Sequence, residues 1–305
     1  MTRFLYIADT HLGAVQGQGY CQQPRYAQRL PALLDALTRW MEARPELEIS
    51  FVLHGGDMVD SVDPGALRQA GEVFRLPVPV CLSLGNHDLT SRDAVELWRT
   101  VVPCLFPQGR LAFTLECDGW MVHSVPTQWC DEHYYWEEAQ QPHLSVEDLA
   151  WLEAALAAHP DMAHLVCTHG AFVGVPTAQT GFDTAYHVPP VAWTATLLRL
   201  IRCYPQLKVV FGGHTHINSH VRITQAHLVT ASAFVETPFE FKLVEVTPER
   251  FTLETVSLLP YLSFQAGYDW NRTFVQGRGC DRGFVATVQT SGPASRWTGD
   301  FGSSC

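Results

Sequence analysis

Five short apolar runs in this chain each end on Asp, His or Asn, and that repeated join constrains the fold more than any other feature. Asp9 and His11 follow Phe4–Ala8, Asp57 follows Ile49–His54, and Asn86, His87 and Asp88 follow Val78–Leu84. His169 follows His164–Thr168, and His214 and His216 follow Leu207–Gly212. Short runs rich in Val, Leu, Ile and Phe read as strands buried on both faces. Helical spacing lies between them. Leu30, Leu33, Leu34, Leu37, Trp40 and Met41 share one face within Arg25–Ala43, and Pro64–Phe74 places Pro in its first turn. Ser145 and Asp148 resemble a capping box ahead of Val146–Ala158, and Ala192–Cys203 is a further helix. Asp118-Gly119 splits Ala112–Cys117 from Trp120–Val125 as a hairpin signal. After His216 only strands follow, at His220–Ile223, His227–Ala231, Phe239–Val246 and Arg250–Val256. Alternation followed by a run of strands predicts an α/β layered sandwich with two mixed β-sheets.

The 305 residues suffice for one large domain with a small appendage. The expected division is a domain over 1–258 and a C-terminal extension of unknown role over 259–305, ordered at its beginning and mobile at its end. A net charge of -11 argues against a general nucleic-acid binder and suits a site that gathers cations. Nine cysteines without a C-x-x-C pair, several of them in apolar runs, read as reduced, buried thiols; Cys280 and Cys305 fit that reading least. No signal peptide precedes Phe4–Ala8 and no apolar run spans a bilayer. The expected compartment is the cytoplasm, with no membrane partner.

Ligands of α/β sheets bind at the carboxyl ends of strands, which is where these polar residues lie. Imidazole and carboxylate suit divalent first-row metals such as Mn, Fe and Zn. Gly56, Gly85 and Gly213 each precede a candidate ligand, where the chain must turn sharply and pass close to the site. Each element alone is weak; their joint order is specific.

That order resembles the calcineurin-like metallophosphoesterase superfamily, in the blocks Asp9-Thr10-His11, Gly56-Asp57, Gly85-Asn86-His87-Asp88, His169 and Gly213-His214-Thr215-His216. The resemblance covers residues from about 3 to about 245 and implies a four-layer α/β/β/α sandwich. It implies one metal held by Asp9, His11, Asp57 and His216, and a second held by Asp57, Asn86, His169 and His214, with Asp57 bridging. His87 is then a catalytic residue that stabilises or protonates the phosphoryl group, and Asp88 orients it. Imidazole suits that task because it gains and loses protons near neutral pH. The implied reaction is two-metal hydrolysis of a phosphoester.

Gly56-Asp57-Met58-Val59-Asp60 resembles the class III phosphodiesterases, which cleave cyclic nucleotides or glycerol-type phosphodiesters. Ile7-Ala8-Asp9-Thr10-His11-Leu12-Gly13 also resembles DNA double-strand-break nucleases. The acidic charge, and the absence of a basic cluster interleaved with aromatics, favour a small phosphoester partner over nucleic acid. A phosphomonoesterase and a non-catalytic protein-binding scaffold are the remaining alternatives, and an oligomer is compatible with the sequence. Two aromatic loops are candidate pocket walls: Thr127–His143, with Trp129, His133, Tyr134, Tyr135 and Trp136, and Gly170–Pro190, with Phe172, Phe182, Tyr186 and His187. Tyr268 and Trp270 are candidates for a lid.

Overall fold

The computed structural model describes residues 1–15 and 20–288. Among these, two six-stranded sheets stack face to face. The strands are β1 (Thr2–Ile7), β2 (Ile49–His54), β3 (Val80–Leu82), β4 (Phe113–Cys117), β5 (Trp120–Ser124), β6 (Ala163–Cys167), β7 (Leu207–Gly212), β8 (Ser219–Ile223), β9 (Ala226–Thr230), β10 (Glu240–Thr247), β11 (Arg250–Ser257) and β12 (Gly283–Thr287). The first sheet runs β12-β11-β10-β1-β2-β3 and the second β4-β5-β6-β7-β9-β8. Both are mixed. β1 pairs parallel with β2 and antiparallel with β10. β5, β6, β7 and β9 run parallel, with antiparallel β4 and β8 at the edges.

The two-residue period of β1 shows why the layers form. Leu5 and Ile7 face the helix Leu30–Glu42, joining Leu30, Leu33 and Leu37 in one core. Phe4 and Tyr6 face the second sheet, joining Phe113, Val122 and Leu165. On the far side of the second sheet, Val166 packs with Leu152 and Leu156 of Val146–Ala158 and with Trp193 and Leu197 of Val191–Cys203. Three apolar cores between four layers make the α/β/β/α sandwich. Each large side chain fully buried there contributes about 1.5–3 kcal/mol.

The sequence-predicted strands are all present. Val78–Leu84 shortens to Val80–Leu82, because Pro79 has no N–H to donate to a ladder. The helix Ala94–Val101 was not anticipated; its Trp98 Nε1 donates to the Asp88 carbonyl at 2.8 Å and braces the site loop. The segment after residue 258 returns to the first sheet. β12 pairs antiparallel with β11, Arg282 Nη2 meets the buried Glu240 at 2.6 Å, and Asp281 accepts from the His220 N–H at 2.9 Å. The end expected to be mobile, with Cys305, lies outside the described residues. Cys81, Cys117 and Cys167 are buried free thiols, and Cys280 is an exposed one. No helix among the described residues is long and apolar enough to cross a membrane.

Candidate metal centre

Both sheets deliver their strand ends to one edge. The first sheet contributes Asp9, His11, Asp57 and Asn86; the second contributes His169, His214 and His216. These fall into two groups. In the first, His216 Nε2 lies 3.3 Å from Asp9 Oδ1 and 3.2 Å from His11 Nε2. In the second, His169 Nε2 lies 3.1 Å from Asp57 Oδ2, and His214 Nδ1 lies 3.1 Å from Asn86 Oδ1. Asp57 Oδ2 is also 3.7 Å from His11 Nε2, so this carboxylate stands between the groups. Ligand atoms of Asp9, His11 and His216 lie within 4.8 Å of one another, as do those of Asp57, His169 and His214.

The backbone is strained at this edge. Asp9, His11, Asp57, His214 and His216 all have positive φ, between 41° and 66°. Each such non-glycine residue costs roughly 1–3 kcal/mol and persists only where its surroundings hold it. The loops hold one another: Asp9 N–H donates to Gly56 O, and the N–H groups of Thr10 and His11 both donate to Asp57 O, each at 2.9 Å. Gly56 has φ 102°, and a Cβ there would lie 2.5 Å from His169 Nδ1. Gly85 is needed for proximity alone, since a Cβ would overlap Asp57 Oδ1.

The electrostatics ask for positive charge. Burial alone would raise the Asp57 carboxyl, yet His169, His87 and His11 hold it well below its ordinary value. Burial depresses His169, but Asp57 and Asp9 lift it to about 9. His216 is likewise carried well above its ordinary value against burial, by Glu236 and Asp9. His214 falls to about 3, through burial and the neighbouring His169. Buried carboxylates must be balanced, and bound cations would do what protons on these histidines otherwise do. Asp9 Oδ2 and His169 Nε2 are buried without a hydrogen-bond partner, as expected of atoms meant for a metal. The donor set therefore fits two ions.

Buried hydrogen bonds pre-set the imidazoles. His169 Nδ1–H donates to Gly55 O at 2.8 Å, which leaves Nε2 free. His216 Nδ1–H donates to Glu236 Oε1 at 2.7 Å, with the same result. Glu236 is buried, and its Oε2 accepts from the N–H groups of Gln22 and Gln23 at 2.9 and 2.8 Å. No motif marks Glu236 in the sequence.

His87 lines the cleft above the centre. Its N–H donates to Asp57 Oδ1 at 2.8 Å, and its ring Nδ1–H donates to the Asp60 carbonyl at 2.8 Å, leaving Nε2 available. Asp88, expected to orient it, does something else. Its Oδ1 accepts from the N–H groups of Met58 and Val59, and its Oδ2 from that of Gly85. Burial and the charge of Asp57 raise it to about 7. Asp88 ties two ligand loops together beneath the site; Asp60 is the residue that orients His87. The Tyr20 hydroxyl donates to the Asp60 carboxylate, and the Tyr20 ring packs against His11 and His87, each at 5.1 Å.

The cleft holds about 430 Å³. On one side Trp136 packs 4.8 Å from the His87 ring. Trp129 is buried behind the centre, 4.6 Å from His214. His133, Tyr134 and Tyr135 do not line the cleft; the Tyr134 hydroxyl reaches Asp148, and Tyr135 lies under Arg92. Of the second loop, Tyr186 and His187 face the cleft, whereas Phe172 stacks on Trp193 in the core. The expected lid residues Tyr268 and Trp270 are not in the wall. Arg272 supplies the contribution of that segment.

A sandwich with two adjoining metal-ligand clusters at its strand ends is the architecture of a metal-dependent phosphoester hydrolase. The sequence model for calcineurin-like phosphoesterases matches residues 2–218, and the chain belongs to that family, whose members use two metal ions. Among solved structures it is similar to a dimetal phosphatase from Danio rerio, at 16% identity and TM-score 0.61, covering 84% of this chain and 96% of that one. It is also similar to GAP50, the anchor in the inner membrane complex of Plasmodium, at 11% identity and TM-score 0.58, covering 88% of each chain. Purple acid phosphatase PPD1 from yellow lupin aligns at 12% identity and TM-score 0.56, over 96% of this chain and 57% of that one. At these identities the likeness is one of fold. No curated protein sequence matches the chain.

Proposed function

We propose that the chain hydrolyses small phosphodiesters, in the manner of the class III phosphodiesterases its motifs resemble. In this reading Asp9, His11, Asp57 and His216 hold one ion, and Asp57, Asn86, His169 and His214 hold the other, with Mn, Fe or Zn as candidates. When bound, such a pair supplies Lewis acidity to phosphoryl oxygens and lowers the pKa of water. The chain does the rest. The Asp60 carbonyl fixes the His87 ring, so that Nε2 can carry a proton to the departing alkoxide. Glu236 and Gly55 O fix the tautomers of His216 and His169.

The observation that carries this reading is the anchored His87 ring beside a full set of candidate ligands. When a diester is hydrolysed, one ester oxygen departs as an alkoxide that needs a proton, which a positioned imidazole supplies. Support for a small substrate comes from the cleft: its volume suits a small organic molecule, and only one Lys or Arg lines it among the described residues. A nucleic-acid groove needs several.

The test is hydrolysis of bis-p-nitrophenyl phosphate against p-nitrophenyl phosphate by Mn-loaded protein, with Asn86→Ala as control. Diester preference that is lost in the variant is the expected result. Monoester preference would replace the reading with a phosphatase at the same site.

A further inference from the structure

We infer that Arg272 reads a second anionic group on the substrate, remote from the phosphoryl group taken by the metal centre. This rests on the phosphoester reading above and names the substrate class more closely: a phosphoester that also bears a carboxylate or another phosphate.

Arg272 is the one Lys or Arg side chain lining the cleft among the described residues. It comes from Trp270–Gln276, outside the segment matched by the family model. Its Nη1 donates to Cys21 O at 3.1 Å, and to Gln22 O and Gln22 Oε1 at 3.3 Å each. These acceptors are neutral: they fix the guanidinium without discharging it. The nearest carboxylate is Asp269, with Oδ2 3.9 Å from Nε and outside normal hydrogen-bond range. Nη2 has no hydrogen-bond partner among the described residues.

The mount is rigid. Gln22 is buried, 5% exposed, and its Nε2 lies 3.1 Å from His187 Nε2 and 3.4 Å from the Tyr186 hydroxyl. The backbone N–H of Gln22 is held in turn by Glu236, which also holds His216. Hydrogen bonds through Gln22 and Glu236 thus link the guanidinium to His216 of the candidate metal centre. In a chain of net charge -11, a half-exposed guanidinium held at the cleft wall by hydrogen bonds is the group that would bind an oxyanion through paired N–H donors. A substrate with one charge would leave it unused.

The experiment is calorimetric titration of the full-length, Mn-loaded protein with two inert series of matched length. One is alkylphosphonates of two to six carbons; the other is the same compounds ending in a carboxylate. At one chain length the carboxylated compound should bind roughly 10–100-fold more tightly. In Arg272→Gln the gap between the series should collapse, and Arg272→Lys should restore part of it. Equal binding of the two series at every length overturns this inference alone. So does an Arg272→Gln variant that weakens both series by the same factor, since that would mark a mere latch for Cys21 and Gln22. Binding of neither series removes the phosphoester reading and this inference with it.

Discussion

The ligand-bearing edge and the outer wall of the cleft are built in opposite ways. The edge takes its seven candidate ligands from residues that directly follow strands, in short blocks ordered along the chain. The wall takes Gln22, Trp136, His187 and Arg272 from four segments far apart in sequence. The edge is strained and charged, with left-handed backbone at five of the candidate-ligand positions. The wall is assembled by side-chain hydrogen bonds such as those of Arg272 to Cys21 and Gln22. Chemistry common to a fold resides where backbone geometry is fixed. Choice of substrate resides in loops that can vary without disturbing it.

Substitutions should separate the two regions. The largest effect is expected from Asp57→Asn, which alters the carboxylate between the two ligand groups. Turnover should fall by at least about 10³-fold, because a shared ligand carries several kcal/mol of charge stabilisation, and elemental analysis should show reduced metal content. His87→Ala should reduce kcat by about 10²–10⁴-fold while the metal content stays at the wild-type level. A His87→Ala protein that lost its metals would move this residue from acid to ligand. Glu236→Gln removes the charge behind His216 but keeps its shape; metal affinity measured by chelator competition should weaken about 10–100-fold. Unchanged affinity would leave Glu236 as an anchor for residues 22 and 23 alone. Trp136→Ala should act on the wall only, raising KM about 3–10-fold for aromatic esters with kcat nearly constant.

The fold and the edge were legible in the sequence because each depends on local pattern. Continuous apolar runs placed β1, β2 and β7, period-3.6 apolar spacing placed the helix Leu30–Glu42, and Asp, His and Asn after apolar runs marked the strand ends. Asp88 sits inside the most recognisable block, yet its neighbours in space are backbone N–H groups of Met58, Val59 and Gly85, which no spacing reveals. Glu236 lies 20 residues beyond His216, and their contact exists only after β7 and β9 have paired. Arg272 was hidden for the same reason. The segment carrying it has no periodicity, and its place on the cleft follows from hydrogen bonds to residues about 250 positions earlier. The aromatic loops were half legible: composition identified them, but could not tell Trp136 in the wall from Tyr134 bonded to Asp148.

The central claim is that one edge of this sandwich holds two metal ions in two ligand groups that share Asp57. Its most direct test is the metal content per chain, by inductively coupled plasma mass spectrometry, after Mn loading and desalting of the wild-type protein and of Asn86→Ala. The account predicts two ions per wild-type chain and loss of one in the variant, with the fold retained by circular dichroism. A folded wild-type chain that keeps a single ion, or none, would contradict it.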